Sequence, residues 1–413
     1  MSPGPGRRRK LPNTLSSART LLSRWIPDLP NGPLAVLMAL VFLKQIGNGM
    51  IWSVIALYGQ ELGAGTTMIG LLVSCYGGAR LMANMPSGIA SERFGRRRLM
   101  QLGCILLTIA SFGVTFTRSL EAFFVGILLL GMASASFMTA ALAAVADLGT
   151  PGQRLRDASF YQAANMTGTA LGPAIGGMVA AGFGYSAPYF VNGLIALAGV
   201  IAFAVIPWPA EKKRKAKAEK LGSLRAIAMA SAGVGLMYFA IFYARTASNW
   251  IVMPLIAQSQ FNWDMAAIGV LLTAGACANL AVLPFNAALS REFGRVGAII
   301  AAGLATFAAC AMLAFGHHPV FLWLTAIMFG AGSGIATPTL IAYVADVAPE
   351  NQRGIYMGLL RTSQDFALIL GPFFTGFLSD NLGLGYQGGL MGSMLILGLS
   401  LFVFWRDARG KRL

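Results

Sequence analysis

Charge is what this sequence has least of. Only 11% of its 413 residues are Asp, Glu, Lys or Arg, where a soluble chain carries about 25%. That shortage argues against a water-soluble globular protein of this length. Acid is scarcer than base, 15 residues against 31. The two histidines, His317 and His318, stand together with no acid near them in sequence, too little for a zinc site. The four cysteines (Cys75, Cys104, Cys277, Cys310) form no CxxC pair and fall in apolar stretches, which suits packing rather than disulfides or metal. There is no His/Asp/Glu constellation, nucleophile elbow or phosphate-cradling loop, so the chain is not expected to be an enzyme, nor to hold a metal or cofactor.

What the chain has instead is apolar length. Hydrophobic residues make up 56% of it and mean hydropathy is +0.67. About 20 consecutive apolar residues cross a bilayer as a helix. Such stretches fall at 33–58, 68–90, 99–117, 121–146, 158–182 and 185–206, then at 229–257, 265–289, 296–316, 319–345, 355–379 and 387–405. They are long, unbroken and rich in Ala, Leu, Gly and Met, so helices are expected rather than strands. The expected fold is an all-α membrane protein of twelve transmembrane helices.

The net charge of +16 would suit a nucleic-acid binder, but its distribution does not. Of the 31 basic residues, 26 lie in the two termini and in alternate loops, while the opposite loops hold one, Arg118. This asymmetry places both termini in the cytoplasm. The clusters Arg7–Lys10, Arg96–Arg98 and Lys212–Lys220 then serve as topology signals and as contacts for anionic membrane lipid. Five regions follow: a basic tail (1–32), a first half (33–206), a basic linker (207–228), a second half (229–405) and a short basic tail (406–413). The N-terminal tail, with a short interfacial helix around Leu15–Ile26, has an alternative as an organellar transit peptide. The location is accordingly an inner membrane, cytoplasmic or organellar.

The halves are copies. Shifted by 199 residues, Phe94-Gly95-Arg96 falls on Phe293-Gly294-Arg295, Ala146-Asp147 on Ala345-Asp346, Arg154 on Arg353, and Gly172-Pro173 on Gly371-Pro372. A period this long in a hydrophobic chain points to a transporter with two like-oriented halves.

Three motifs sharpen that expectation. Between the second and third spans the chain runs Gly88-Ile-Ala-Ser-Glu92-Arg93-Phe-Gly95-Arg96-Arg97-Arg98, with a degenerate copy from Ser290 to Arg295. The fifth span carries Gly168-Thr-Ala-Leu-Gly172-Pro173-Ala-Ile-Gly176-Gly177. Ala146-Asp147 is followed by Arg154, and Ala345-Asp346 by Arg353. Together they resemble the signatures of the major facilitator superfamily, in particular its twelve-helix drug:proton antiporter branch. The resemblance implies a cytoplasmic latch in which Glu92, where Asp is usual, faces the positive N-terminal end of helix 11. Gly88 would permit close helix contact and Gly95 a tight turn. Asp147, Arg154, Asp346 and Arg353 would join Arg93, Arg96 and Arg97 in the same gate. The fifth-span element implies a sealed hinge.

Few charges remain well inside the spans: Lys44, Arg80, Arg245, Arg361 and one acid, Asp365. Each costs about 3 kcal/mol or more in hydrocarbon, so each is a functional candidate. Lys44 leads, with Arg245 two positions from its repeat image; Arg80 maps onto Asn279. Arg361 and Asp365, one turn apart, could pair. Asn48 and Tyr243 fit the same solvated interior. Four cations against one acid favour an anionic or amphipathic small-molecule substrate. Drug:proton antiporters of this type carry an Arg where this chain has Ile127, and an acid in helix 1 where it offers only Lys44. A coupling proton is therefore left to Asp365, if one is used. The expectation is a monomeric exporter, with a multidrug:proton antiporter and a non-transporting scaffold as alternatives.

Overall fold

The computed structural model describes residues 32–148, 154–206, 208, 224–347, 353–381 and 384–410. Residues 1–31 of the expected basic tail, with the expected interfacial helix around Leu15–Ile26, linker residues 207 and 209–223, and residues 411–413 lie outside that set. Among the described residues there is no strand. Twelve helices run in order: α1 (Pro33–Glu61), α2 (Thr66–Phe94), α3 (Arg96–Phe116), α4 (Leu120–Leu148), α5 (Arg154–Phe183) and α6 (Ala187–Val205) form the first half. In the second half α7 (Leu224–Ala247) continues through a π turn (Ser248–Val252) into Met253–Phe261. Then α8 (Met265–Val282) passes through a 3-10 turn into Asn286–Glu292, followed by α9 (Gly294–Phe315), α10 (Pro319–Val347), α11 (Arg353–Asn381) and α12 (Tyr386–Gly410).

The 199-residue repeat survives in the backbone. Helices α2, α4, α5 and α6 begin at Thr66, Leu120, Arg154 and Ala187; α8, α10, α11 and α12 begin 199 residues later at Met265, Pro319, Arg353 and Tyr386. The tight turns repeat as well. Gly95 and Gly294 both adopt positive φ, 100° and 68°, a region open to Gly and costly for other residues. Packing repeats too: Gly172 of α5 meets the Gly49 backbone of α1, and its image Gly371 of α11 meets the Tyr243 backbone of α7.

Eight helices are apolar enough to cross a membrane on length and composition alone; the other four are α2, α5, α7 and α11. Three of those four, α2, α7 and α11, carry the intramembrane charges Arg80, Arg245, Arg361 and Asp365, which lower their hydropathy.

The two halves touch at one end only. The even number of helices puts the described chain ends on one side, called here the tail side, together with Gly88–Arg98. On the opposite, far side, α2 lies against α11: Gly70 meets the Pro372 backbone, Gly77 meets Leu368, and Ser74 Oγ donates to Ile369 O at 2.5 Å. Likewise α5 lies against α8 through Gly177 and Gly269, and the Ala174 amide donates to Thr273 Oγ1 at 2.9 Å. Toward the tail side the helices part. Met82 and Met85 of α2 are 78% and 75% exposed, and Phe285 of α8 is exposed. The interior is sealed on the far side and open on the tail side.

Candidate functional site

The roof of the interior is aromatic. Trp52 of α1 stacks on Trp250 of α7, with centroids 4.0 Å apart and planes at 10°, while Tyr76 of α2 meets Trp52 edge-on at 4.8 Å. Trp250 occupies the π turn. Pro254, four residues on, has no N–H to return to the Trp250 carbonyl, so no α-type bond competes with the π turn at that place. The turn also leaves Asn249 Oδ1 buried without a hydrogen-bond partner among the described residues, which is uncommon, while Ser248 lies beside the Cys310 thiol.

Below that roof the charges gather around two tyrosines. Tyr161 of α5 is within electrostatic reach of Arg80 from its own half and of Arg361 from the other. Tyr238 of α7 is within electrostatic reach of Arg361, Arg245 and Asp365 and lies beside Thr337, and its hydroxyl donates to Gln364 Oε1 at 3.4 Å. Arg245 also lies over the Phe242 ring at 5.6 Å. No ion pair involves Arg80, Arg245, Arg361, Lys44 or Asp365 among the described residues. The interior therefore holds cations with no carboxylate at ion-pair distance. Both tyrosines were missed in the sequence. The stripe Tyr238–Phe242–Arg245, spaced i, i+4, i+7, puts all three on one face of α7 and could have been found.

Several sequence expectations are redirected. Lys44 is 5% exposed and does not open into the centre. Its ammonium donates to Ser134 Oγ at 2.7 Å and to Gln45 Oε1 at 3.0 Å, one layer behind Arg80, whose charge it feels. An ammonium taken out of water needs donor-for-acceptor replacement, and α4 supplies it. Tyr243 is buried against Gly371, its hydroxyl beside Thr375 of α11. Asn279 donates to Ser333 Oγ at 2.8 Å and to Gly330 O, tying α8 to α10. Asn48 accepts from the Tyr76 hydroxyl at 3.2 Å. Arg361 and Asp365 do not pair. A cation N-terminal to an acid at i, i+4 is the weaker orientation, and Arg361 is exposed while Asp365 is 5% exposed.

The gate residues sort by half. Arg96 pairs with Asp147 at 3.1 Å and donates to Ser91 Oγ at 2.7 Å; its image Arg295 pairs with Asp346. Arg97 donates through Nε to Phe203 O at the end of α6, at 2.9 Å, and Arg93 lies over Phe94. The side chains of Arg154 and Arg353 fall outside the described residues, although both start helices. Glu92 is exposed and takes no ion pair among the described residues. A Cβ on Gly88 would meet only Thr139, at 4.0 Å, so Gly88 makes no close helix contact here. Both observations follow from the tail side being open. In α5 the small residues work on two faces: Gly168, Gly172 and Gly176 lie against α1, while Gly177 and Pro173 lie against α8 of the other half.

The sequence profile of the Major Facilitator Superfamily matches residues 37–244 and again 234–413, nearly the whole described chain in two copies. The chain belongs to the Major Facilitator Superfamily. This facilitator is 23% identical over 386 residues to Multidrug resistance protein 1 of Bacillus subtilis, covering 91% of this chain and 97% of that protein. It is 22% identical over 362 residues to Quinolone resistance protein NorA of Staphylococcus aureus, covering 85% and 90%. Among solved structures it is similar in fold to the nucleoside transporter NupG, with a TM-score of 0.75 at 15% identity over 91% of this chain and 98% of that one. It is a multi-pass membrane transporter of the facilitator fold.

Proposed function

We propose that this facilitator works by alternating access as an exporter of small organic anions, or of amphipathic molecules carrying an anionic group. One observation carries the reading: among the described residues, Arg80, Arg245 and Arg361 approach the interior from both halves with no carboxylate paired to any of them. A cation in that setting is costly unless water or an anion completes it. A mobile anion would complete all three and would bridge α2 of one half to α7 and α11 of the other. The stacked Trp52 and Trp250 would supply the apolar end of an amphipathic substrate's site. Export is supported by the α5 element and by the names of the relatives. The distribution of Lys and Arg supports an inner-membrane location with both termini in the cytoplasm, so the open tail side faces inward. The protein is read as a monomer.

A second reading, multidrug:proton antiport, is favoured by Asp365. It is the one carboxylate buried beside Tyr238 and is available to carry a coupling proton. Ligand-induced thermal stabilisation of the purified protein separates the two readings. Stabilisation by aromatic carboxylates and sulfonates, rising with concentration as binding to the folded state requires, is expected from the anion reading. Stabilisation by lipophilic cations alone would overturn it in favour of the second.

A further inference from the structure

Helix α2 starts without a cap of its own. Its N-cap residue is Gly65, and no side chain of its own half bonds the first-turn amides. The repeat image of Gly65 is Asp264 (199 residues on), and Asp264 caps α8 conventionally, accepting from the Ala267 amide at 2.8 Å. The missing cap of α2 comes from the other half. Asp380, at the end of α11, accepts from the Thr67 amide at 2.7 Å and from Thr67 Oγ1 at 2.6 Å. Its own repeat image is Ala181 at the end of α5, so the α5–α8 contact contains no equivalent.

We infer that Asp380 is a far-side latch that holds the transporter in its tail-open state. The first amides of a helix carry partial positive charge, and a carboxylate there is both a cap and a charge partner. Because Asp380 and Thr67 belong to different halves, the cap exists only while the far side is closed. When the halves rock apart there, α2 is left uncapped, since Gly65 has nothing to offer. Helices α2 and α11 run antiparallel, so the same pair carries an acid at each end: Asp380 aimed at the start of α2, and Glu92 at the tail-side end of α2, where the two helices are parted and Glu92 is exposed. Only Asp380 is engaged in this state. The two acids thus form opposed latches on one helix pair, and replacing Gly65 by a self-capping residue would disconnect the far-side latch. The inference rests on alternating access and not on the anionic substrate.

The test uses the full-length protein in nanodiscs, with the four native cysteines replaced and spin labels at Arg118→Cys and His318→Cys, both on far-side turns of opposite halves. Pulsed EPR distances report the ratio of far-side-open to far-side-closed molecules. Asp380→Ala is expected to raise that ratio about three- to ten-fold, the range set by a lost helix cap. Asp380→Asn, which keeps an acceptor without the charge, should fall between and guards against misfolding of the Ala variant. If Asp380 serves only to stabilise the start of α2, the double variant Gly65→Asp/Asp380→Ala would regain the wild-type ratio through its local cap. The latch requires that the double variant stay shifted open. An unchanged ratio in Asp380→Ala, or a return to wild type in the double variant, overturns the inference. Neither result bears on whether anions bind.

Discussion

At the residue scale, the interior cations differ in what surrounds them, and that difference can be measured. Arg245 has an aromatic face and a tyrosine but, among the described residues, no acid at ion-pair distance, so removing it takes away substrate contact without orphaning a partner carboxylate. Arg245→Leu is expected to lower anion uptake into inverted vesicles at least ten-fold while leaving the melting temperature within a few degrees. Lys44 already has acceptors in Ser134 and Gln45 and contributes only through the field behind Arg80. Lys44→Met should raise the apparent KM about threefold and leave stability equal or higher, since an apolar replacement of a buried charge is often neutral or better. A collapse of transport in Lys44→Met with a silent Arg245→Leu would invert the assignment. The identity of the intramembrane charges was legible in the sequence. Their directions were not, because the azimuth of a helical residue has meaning only once the neighbouring helices are placed.

Elements behave as the sequence suggests wherever the cause is local. The turns at Gly95 and Gly294, the kink-prone prolines and the small-residue face of α5 are all visible in the chain. The π turn in α7 was not foreseen, because the pattern does not say which way a ladder broken at Pro254 will slip. It carries Trp250, which stacks on Trp52, an aromatic pair worth about 0.5–1.5 kcal/mol beyond burial. Pro254→Ala restores an amide that can close an ordinary α turn. The expected outcome is separation of the two indoles, measured as a change in near-ultraviolet circular dichroism and tryptophan emission, with unchanged helix content. Gly177 tests the other seal. A side chain there would strike Gly269 and the Met265 backbone, so Gly177→Val should wedge α5 from α8 and increase labelling of far-side cysteines several-fold. Unaltered labelling would mean that the seal lies elsewhere.

For the whole molecule the prediction concerns orientation. A cysteine at position 412, in the basic tail, should react with a membrane-impermeant maleimide in inside-out vesicles and not in intact cells, because positive charge is retained on the cytoplasmic side. The opposite labelling would turn the open interior outward and reverse the direction proposed for transport. The sequence by itself determined the membrane class, the twelve helices, the two-fold repeat and the family, because these follow from hydropathy, charge placement and motif spacing, each written along the chain. Only the tertiary structure decided which end of the bundle is closed, that Arg361 and Asp365 stand apart, and that Asp380 completes a helix in the opposite half. Those outcomes depend on contacts between residues as far apart as 67 and 380, and a contact between halves has no period to betray it.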